Sequence, residues 1–305
     1  MRTMPSMQIQ PESPIMRFFR RIGMDSIAWS LRRLYCPVDK NALVLEVGSG
    51  ASPYFRANVL CDAYEVTQER FFTPLVHDRP TILAFVEKLP FKDNCFDFVI
   101  ASHVLEHSTE PERFLSEIQR VAKAGYIEVP DAFMERLTHY GFHRLEITDK
   151  NGELIIRKKK NYIKDEEVVG LFHNKARPIF PGWASRYPFH FHVRYYWDKE
   201  SGGIRYKILN PDCPVDWEVP QLVAESSPRP PVIALLKQQV LKLVRLLFSQ
   251  KGRNASIDLM DLLQCPHCSG NKFRHGDACV ICETCHANYS VYLPCSPRNE
   301  YVDAA

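Results

Sequence analysis

The sequence predicts an α/β fold built on a parallel sheet covered on both faces, followed by further α+β material and a small cysteine-rich module. Three observations carry this. Between residues 41 and 131, short apolar runs alternate with amphipathic stretches, as expected of fully buried strands joined by crossovers. The first run, residues 42 to 47, opens directly into Gly48-Ser49-Gly50. Six of the ten cysteines fall after residue 264. The length of 305 residues suits about two domains at ~150 residues each. With 45% hydrophobic and 25% charged residues, disordered and low-complexity classes are excluded. Thirty-nine Lys and Arg against 36 Asp and Glu leave a net charge of +3, which gives no strong nucleic-acid signal. No stretch reads as a signal-peptide core or an uncharged membrane span, so a cytoplasmic protein with reduced thiols is expected.

Taken in order, residues 13 to 36 place Ile15, Phe18, Phe19, Ile22, Ile27, Leu31 and Leu34 at helical spacing, with arginines on the other faces. Strands are expected at residues 42 to 47, 59 to 61, 82 to 86, 96 to 101 and 126 to 129. Pro111 starts a helix through Lys123, with Phe114, Leu115, Ile118 and Val121 on one stripe and Gly125 beyond its end. Two hairpin-like segments follow, residues 145 to 157 around Asn151-Gly152 and residues 193 to 209 around Gly202-Gly203. A proline-rich break at 226 to 231 leads to an apolar helix at 232 to 248. The chain thus divides into a helical lead-in (1–40), a core (41–131), a cap (132–225), a linker with an amphipathic helix (226–260) and the cysteine module (261–305).

An apolar strand ending in Glu46 and opening into Gly48-Ser49-Gly50 lets a backbone turn come close to a nucleotide-like ligand without a Cβ in the way. Further motifs stand in order behind it: LPF at 89 to 91, CFDFVIASHVLEH at 95 to 107, and PERFLSEIQRVAKAG followed by YIEVP. In this combination residues 41 to 131 resemble the class I S-adenosylmethionine (SAM) dependent methyltransferases of the type 11 group. The resemblance implies a Rossmann-like sheet and SAM as cofactor. By it, Glu46 holds the methionine amino end, Gly48, Ser49 and Gly50 let SAM cross the carboxyl edge of the first strand, and Asp62 takes the ribose hydroxyls. Leu89 and Ser102 belong to the same cofactor motifs. Two departures stand out. The third glycine position is Ser52, followed by Pro53, which leaves room for only a short first helix or none. Phe85 stands where relatives often carry an acid toward adenine, and either Glu87 substitutes for it or Phe85 packs on the ring.

Methyl transfer from a sulfonium is an in-line displacement, so the protein's work is to align the acceptor and, for a hydroxyl, to remove its proton. His107, at the end of the fourth strand, is the candidate base, with Glu106 beside it and His143 arriving from the cap; a structural, capping His107 is the alternative. His103, Glu106 and His107 at i, i+3 and i+4 also offer three metal ligands on one helical face. The cap adds His139, His190 and His192, and the His143-Arg144 segment either closes over the site or stays a solvated loop.

Cys265, Cys268, Cys282 and Cys285 form two CxxC knuckles, the spacing of four thiolates around one structural Zn²⁺. Residues 262 to 294 resemble the small zinc-ribbon subunit that activates several RNA and protein methyltransferases, which implies an activator fused in cis. Cys279 and Cys295 read as small core residues. Residues 232 to 248 carry Lys237, Lys242 and Arg245 and no acid, a pattern that fits a peripheral membrane contact or a helix wedged between domains. The sequence therefore points to a SAM-dependent methyltransferase with an unidentified acceptor, a glycan or lipid-linked sugar hydroxyl being the first expectation. The alternatives are a protein or RNA methyltransferase and a non-catalytic binding module on the same fold.

Overall fold

The structure is a computed structural model and describes residues 10–138, 140–160, 166–176, 178–218 and 247–293. His139, the proline-rich break, residues 232 to 246 of the expected apolar helix, and Cys295 lie outside the described residues.

Five parallel strands make the core: β1 (Val44–Val47), β2 (Val59–Asp62), β3 (Thr81–Leu83), β4 (Phe96–Ser102) and β5 (Ala122–Pro130), in the spatial order 3-2-1-4-5. Alternate residues of each strand point to opposite faces, and both faces are apolar. Leu45, Val47, Val99, Ala101 and Ile127 enter one large cluster, while Val44, Phe98, Ile100 and Tyr126 enter a smaller one with Tyr54. The order reverses between β1 and β4, and ligands of open α/β sheets bind at such a switch point, outside the strands' carboxyl ends.

The lead-in forms α1 (Pro14–Arg21), capped by Ser13 Oγ on the Met16 N–H, then α2 (Asp25–Leu31), and a single 3₁₀ turn over Arg32–Leu34. The helix α3 (Pro111–Val121) starts at proline as expected and buries Phe114, Leu115, Ile118 and Val121. It stops two residues early, because Ala122 already pairs with Phe96 as the first residue of β5. Between β1 and β2 the chain turns without a helix, consistent with Ser52-Pro53.

Beyond β5 come α4 (Ala132–Thr138) and the expected hairpin, β6 (Leu145–Lys150) with β7 (Glu153–Lys158). Next are α5 (Glu166–Lys175) and α6 (Phe180–Arg186). The second expected hairpin does not form. The strand β8 (His192–Asp198) instead pairs antiparallel with β5 at the edge of the main sheet, and β9 (Tyr206–Ile208) pairs parallel with β7. Val193, Tyr195 and Trp197 alternate toward the main core, and that burial sends the two halves to different sheets.

The cysteine module follows α7 (Lys251–Ala255) and consists of β10 (Phe273–His275), β11 (Cys279–Cys282) and β12 (Asn288–Tyr292), all antiparallel. It is not set apart from the core. Val291 and Tyr292 of β12 pair with Ile82 and Thr81 of β3, so a single nine-stranded sheet runs from the module to β8. A bridge between Phe91 and Leu263 and the stacking of His77 on Tyr292 add to this seam. Among the described residues no helix is long and apolar enough to cross a membrane.

Candidate functional site

The carboxyl ends of β1, β2 and β4 open into a cleft of about 1050 Å³. Glu46, Gly48, Ser49, Gly50, Asp62, Glu87, Ser102, Glu106, His107 and His143 all line it. Leu89 does not. Its side chain is fully buried, its N–H goes to Glu117 Oε2 (2.8 Å), and its carbonyl accepts from Arg120 (2.9 Å), so neither side chain nor backbone faces the cleft.

In one half of the cleft, Gly48 and Gly50 both adopt positive φ, +64° and +57°. A Cβ on Gly48 would stand 2.5 Å from Val104, so the turn can hold this course only without a side chain there. Asp62 ties the turn together, accepting from the Gly50 N–H (2.9 Å) and the Tyr64 N–H (3.1 Å) and pairing with Arg70 (2.8 Å). Burial pushes the Glu46 carboxyl up to about 8, against the pull of Arg33 and the Tyr54 N–H. The Ser49 hydroxyl is buried with no hydrogen-bond partner among the described residues. Phe85 is half-exposed at the rim, edge-to-face with Tyr64 (5.5 Å), and Glu87 accepts from Ser108 Oγ. A polar backbone turn with a buried carboxylate on each side, an orphaned hydroxyl and an exposed aromatic pair fits a nucleoside carrying a charged amino acid tail.

The other half gathers imidazoles. His103 does not share a helical face with Glu106 and His107, because its φ is +55° and the helical turn covers only Leu105–His107. It lies instead between Glu106 Oε1 (3.4 Å) and Glu128 Oε1 (3.3 Å). Although 41% of the side chain is exposed, desolvation among the surrounding groups disfavours its cation; the two carboxylates outweigh that and raise it to about 9. Burial would likewise raise Glu106, yet the surrounding His103, His143 and His107 hold it down to about 2. His107 is raised, Glu69 and Glu106 overcoming its burial. His143 comes from the cap to meet it, the two rings edge-to-face at 4.8 Å. The cap loop therefore reaches the site.

Several cleft residues had no role assigned from sequence. Arg32 and Arg33 come from the lead-in, and Arg70 comes from the loop after β2. Glu128, fully buried behind Ser102 and His103, accepts two bonds from Arg32 (2.7 and 2.8 Å), one from Ser102 Oγ (3.1 Å) and one from Tyr126. Burial would raise it, but Arg32 and His103 hold it well below the usual carboxylate range. The one local signal was an acid inside the apolar strand YIEVP, where a buried charge demands a partner. That the partner lies 96 residues upstream could not be read from spacing.

The four predicted thiols converge at the far edge of the sheet, all Sγ atoms within 4.8 Å of one another. Cys265 and Cys285 are 3.5 Å apart, and Cys268 and Cys282 3.6 Å apart. Tetrahedral ligands at the usual Zn–S distance of about 2.3 Å stand about 3.8 Å apart, so this donor set fits one zinc ion.

Residues 45–127 match the family model described as a methyltransferase domain. The 3-2-1-4-5 sheet gives this core the Rossmann-like fold of class I methyltransferase domains. The ubiquinone/menaquinone biosynthesis C-methyltransferase UbiE of Pasteurella multocida is 33% identical over 86 residues, covering 27% of this chain and 32% of that protein. An uncharacterised Methanocaldococcus jannaschii protein is 31% identical over 81 residues, 27% of this chain and 40% of that one. The chain thus spans about a third of the length of the curated relatives it matches. Among solved structures, a Haloferax volcanii complex between the Trm112 methyltransferase activator and a methyltransferase is 17% identical, covers 45% of this chain and 78% of that one, and has a TM-score of 0.29.

Proposed function

We propose that the protein transfers a methyl group from SAM to an acceptor hydroxyl, a sugar hydroxyl being the first expectation. The observation that carries the reading is the convergence of Glu46, Gly48, Gly50 and Asp62 at the switch point of a methyltransferase domain, with three titratable side chains facing them across one cleft. SAM supplies an electrophilic methyl on a sulfonium. Glu46 receives the ammonium of its methionine end, Asp62 the ribose hydroxyls once Arg70 yields, and the Tyr64–Phe85 pair the adenine face. Glu106, His107 and His143 align the acceptor, and His107 takes its proton.

The cysteine cluster is assigned a structural zinc, whose four thiolates leave no open position for chemistry. Its strand pairing with β3 supports the reading that the module acts as a built-in activator, bracing the cofactor edge of the sheet. Four reduced thiols suit a cytoplasmic setting.

Calorimetric titration of SAM and S-adenosylhomocysteine tests the cofactor site. Wild type should bind in the micromolar range, and Asp62→Ala should weaken binding by at least ten-fold, about 1.4 kcal/mol or more. Absence of binding to a folded wild type would return the binding-module reading.

A further inference from the structure

Glu106 is 2% exposed and lines the cleft, yet among the described residues neither of its carboxylate oxygens has a hydrogen-bond partner. His103 Nδ1 stands 3.4 Å from Oε1 without the alignment of a hydrogen bond. His107 Nδ1 likewise makes no aligned hydrogen bond among the described residues, with Glu69 Oε2 3.1 Å away. A buried carboxylate and a buried imidazole nitrogen left unbonded side by side call for a ligand that satisfies both.

His143 supplies the third group, already oriented. Its Nδ1 lies 2.6 Å from Glu135 Oε2, and Glu135 is fixed in turn by Lys159 Nζ at 2.7 Å. Donation from Nδ1 leaves the lone pair on Nε2. An imidazole held by a carboxylate through its far nitrogen is the arrangement that orients metal-binding histidines. One donor atom each from Glu106, His107 and His143 lies within 4.8 Å of the others.

We propose that Glu106, His107 and His143 form a second metal site, distinct from the thiolate cluster, for a divalent first-row cation such as Zn²⁺ or Co²⁺. Two imidazoles and one carboxylate suit a borderline cation, whereas Mg²⁺ and Ca²⁺ favour oxygen-only sets. Three protein ligands leave coordination positions open toward the cleft, where an acceptor oxygen could complete the shell. A bound cation would make His107 a ligand in place of the base assigned above; it would lower the pKa of a coordinated acceptor hydroxyl, whose proton would pass to water in the open cleft. Metal binding itself depends on no part of the methyl-transfer reading, and the test uses neither SAM nor acceptor.

The full-length protein is stripped of metal and titrated with Co²⁺, with bound metal counted by elemental analysis. Cobalt at the thiolates shows intense sulfur-to-metal charge-transfer bands, while cobalt on nitrogen and oxygen shows only weak d–d bands, so the sites report separately. Two equivalents are expected in wild type. Glu106→Gln and His143→Gln should each weaken the second equivalent at least ten-fold with the sulfur bands unchanged, and Cys282→Ser should do the converse. If one of the first two variants fails to fold, the other decides. Saturation at one equivalent with all cobalt on sulfur, or a second equivalent untouched by these substitutions, overturns the assignment.

Discussion

Two clusters of potential metal ligands, one at the edge of the sheet and one at the carboxyl ends of its strands, are assembled in different ways. The four thiols come from two short knuckles separated by residues 269 to 281, each turning back on itself through local bonds such as Cys265 N–H to Gly270 O (2.8 Å) and Cys282 N–H to Ala287 O (2.8 Å). Their spacing alone brings them together. The carboxylate and imidazoles of the cleft come from the end of β4 and from a cap loop nearly 40 residues later. Their meeting depends on the cap folding back, with the Arg144 N–H bonded to the Glu106 carbonyl (2.7 Å). Local ligands make a site that holds a small module together; distant ligands make a site that exists only once the fold does.

The largest effect should come from breaking the local cluster. Cys282→Ser, or a chelator, should remove one zinc and cost several kcal/mol, since structural zinc sites contribute on the order of 10 kcal/mol. Because β12 pairs with β3, the loss should lower the melting temperature of the whole domain, which calorimetry with metal analysis would read. A melt confined to residues after 262, or unchanged metal content, would contradict this.

The distant cluster should fail through its frame. Arg32→Ala leaves Glu128 buried without its bidentate partner and should cost about 3 kcal/mol in urea denaturation, the lower end for a broken buried pair because Tyr126 and His103 remain. Arg32→Met with Glu128→Gln should recover much of that loss.

His103 sharpens the same point by pH. Its folded pKa, about 9, lies above its unfolded value, so its stabilising charge is fully present below about pH 6.5 and disappears as pH rises through 9. The side chain is 41% exposed, so screening limits the effect to about 1 kcal/mol, and His103→Gln should flatten the stability profile in that window.

The smallest signal is a proton. With its carboxyl at about 8, Glu46 holds a proton at pH 7 in the free protein and should release it when an ammonium binds. Calorimetry in buffers of different ionisation enthalpy should show up to about one proton released with SAM, and none in Glu46→Gln. The same raised pKa makes the free protein lose stability from about pH 4.5 up to pH 8, and Glu46→Gln should remove that slope.

The β1 turn, the Pro111 helix start, the hairpin around Asn151-Gly152 and both CxxC knuckles were legible because each is fixed by residues close in sequence: a strand feeding a glycine turn, a proline at a first helical position, a turn dipeptide, a ligand spacing. The helical alignment of His103 with Glu106 and His107, the separateness of the cysteine module and the pairing of residues 193 to 209 were read from the same kind of local rule and came out differently. In each, a distant partner prevailed: Glu128 for His103, β3 for β12, and β5 for β8. The sequence by itself determined the sheet, the cofactor-type turn and the thiol set, because backbone geometry and short spacings act over a few residues. Only the tertiary structure decided that Arg32 meets Glu128, that His143 meets Glu106 and His107, and that one sheet joins module to core. Those contacts are selected by burial and charge compensation summed over the whole fold, terms that no single stretch of chain contains.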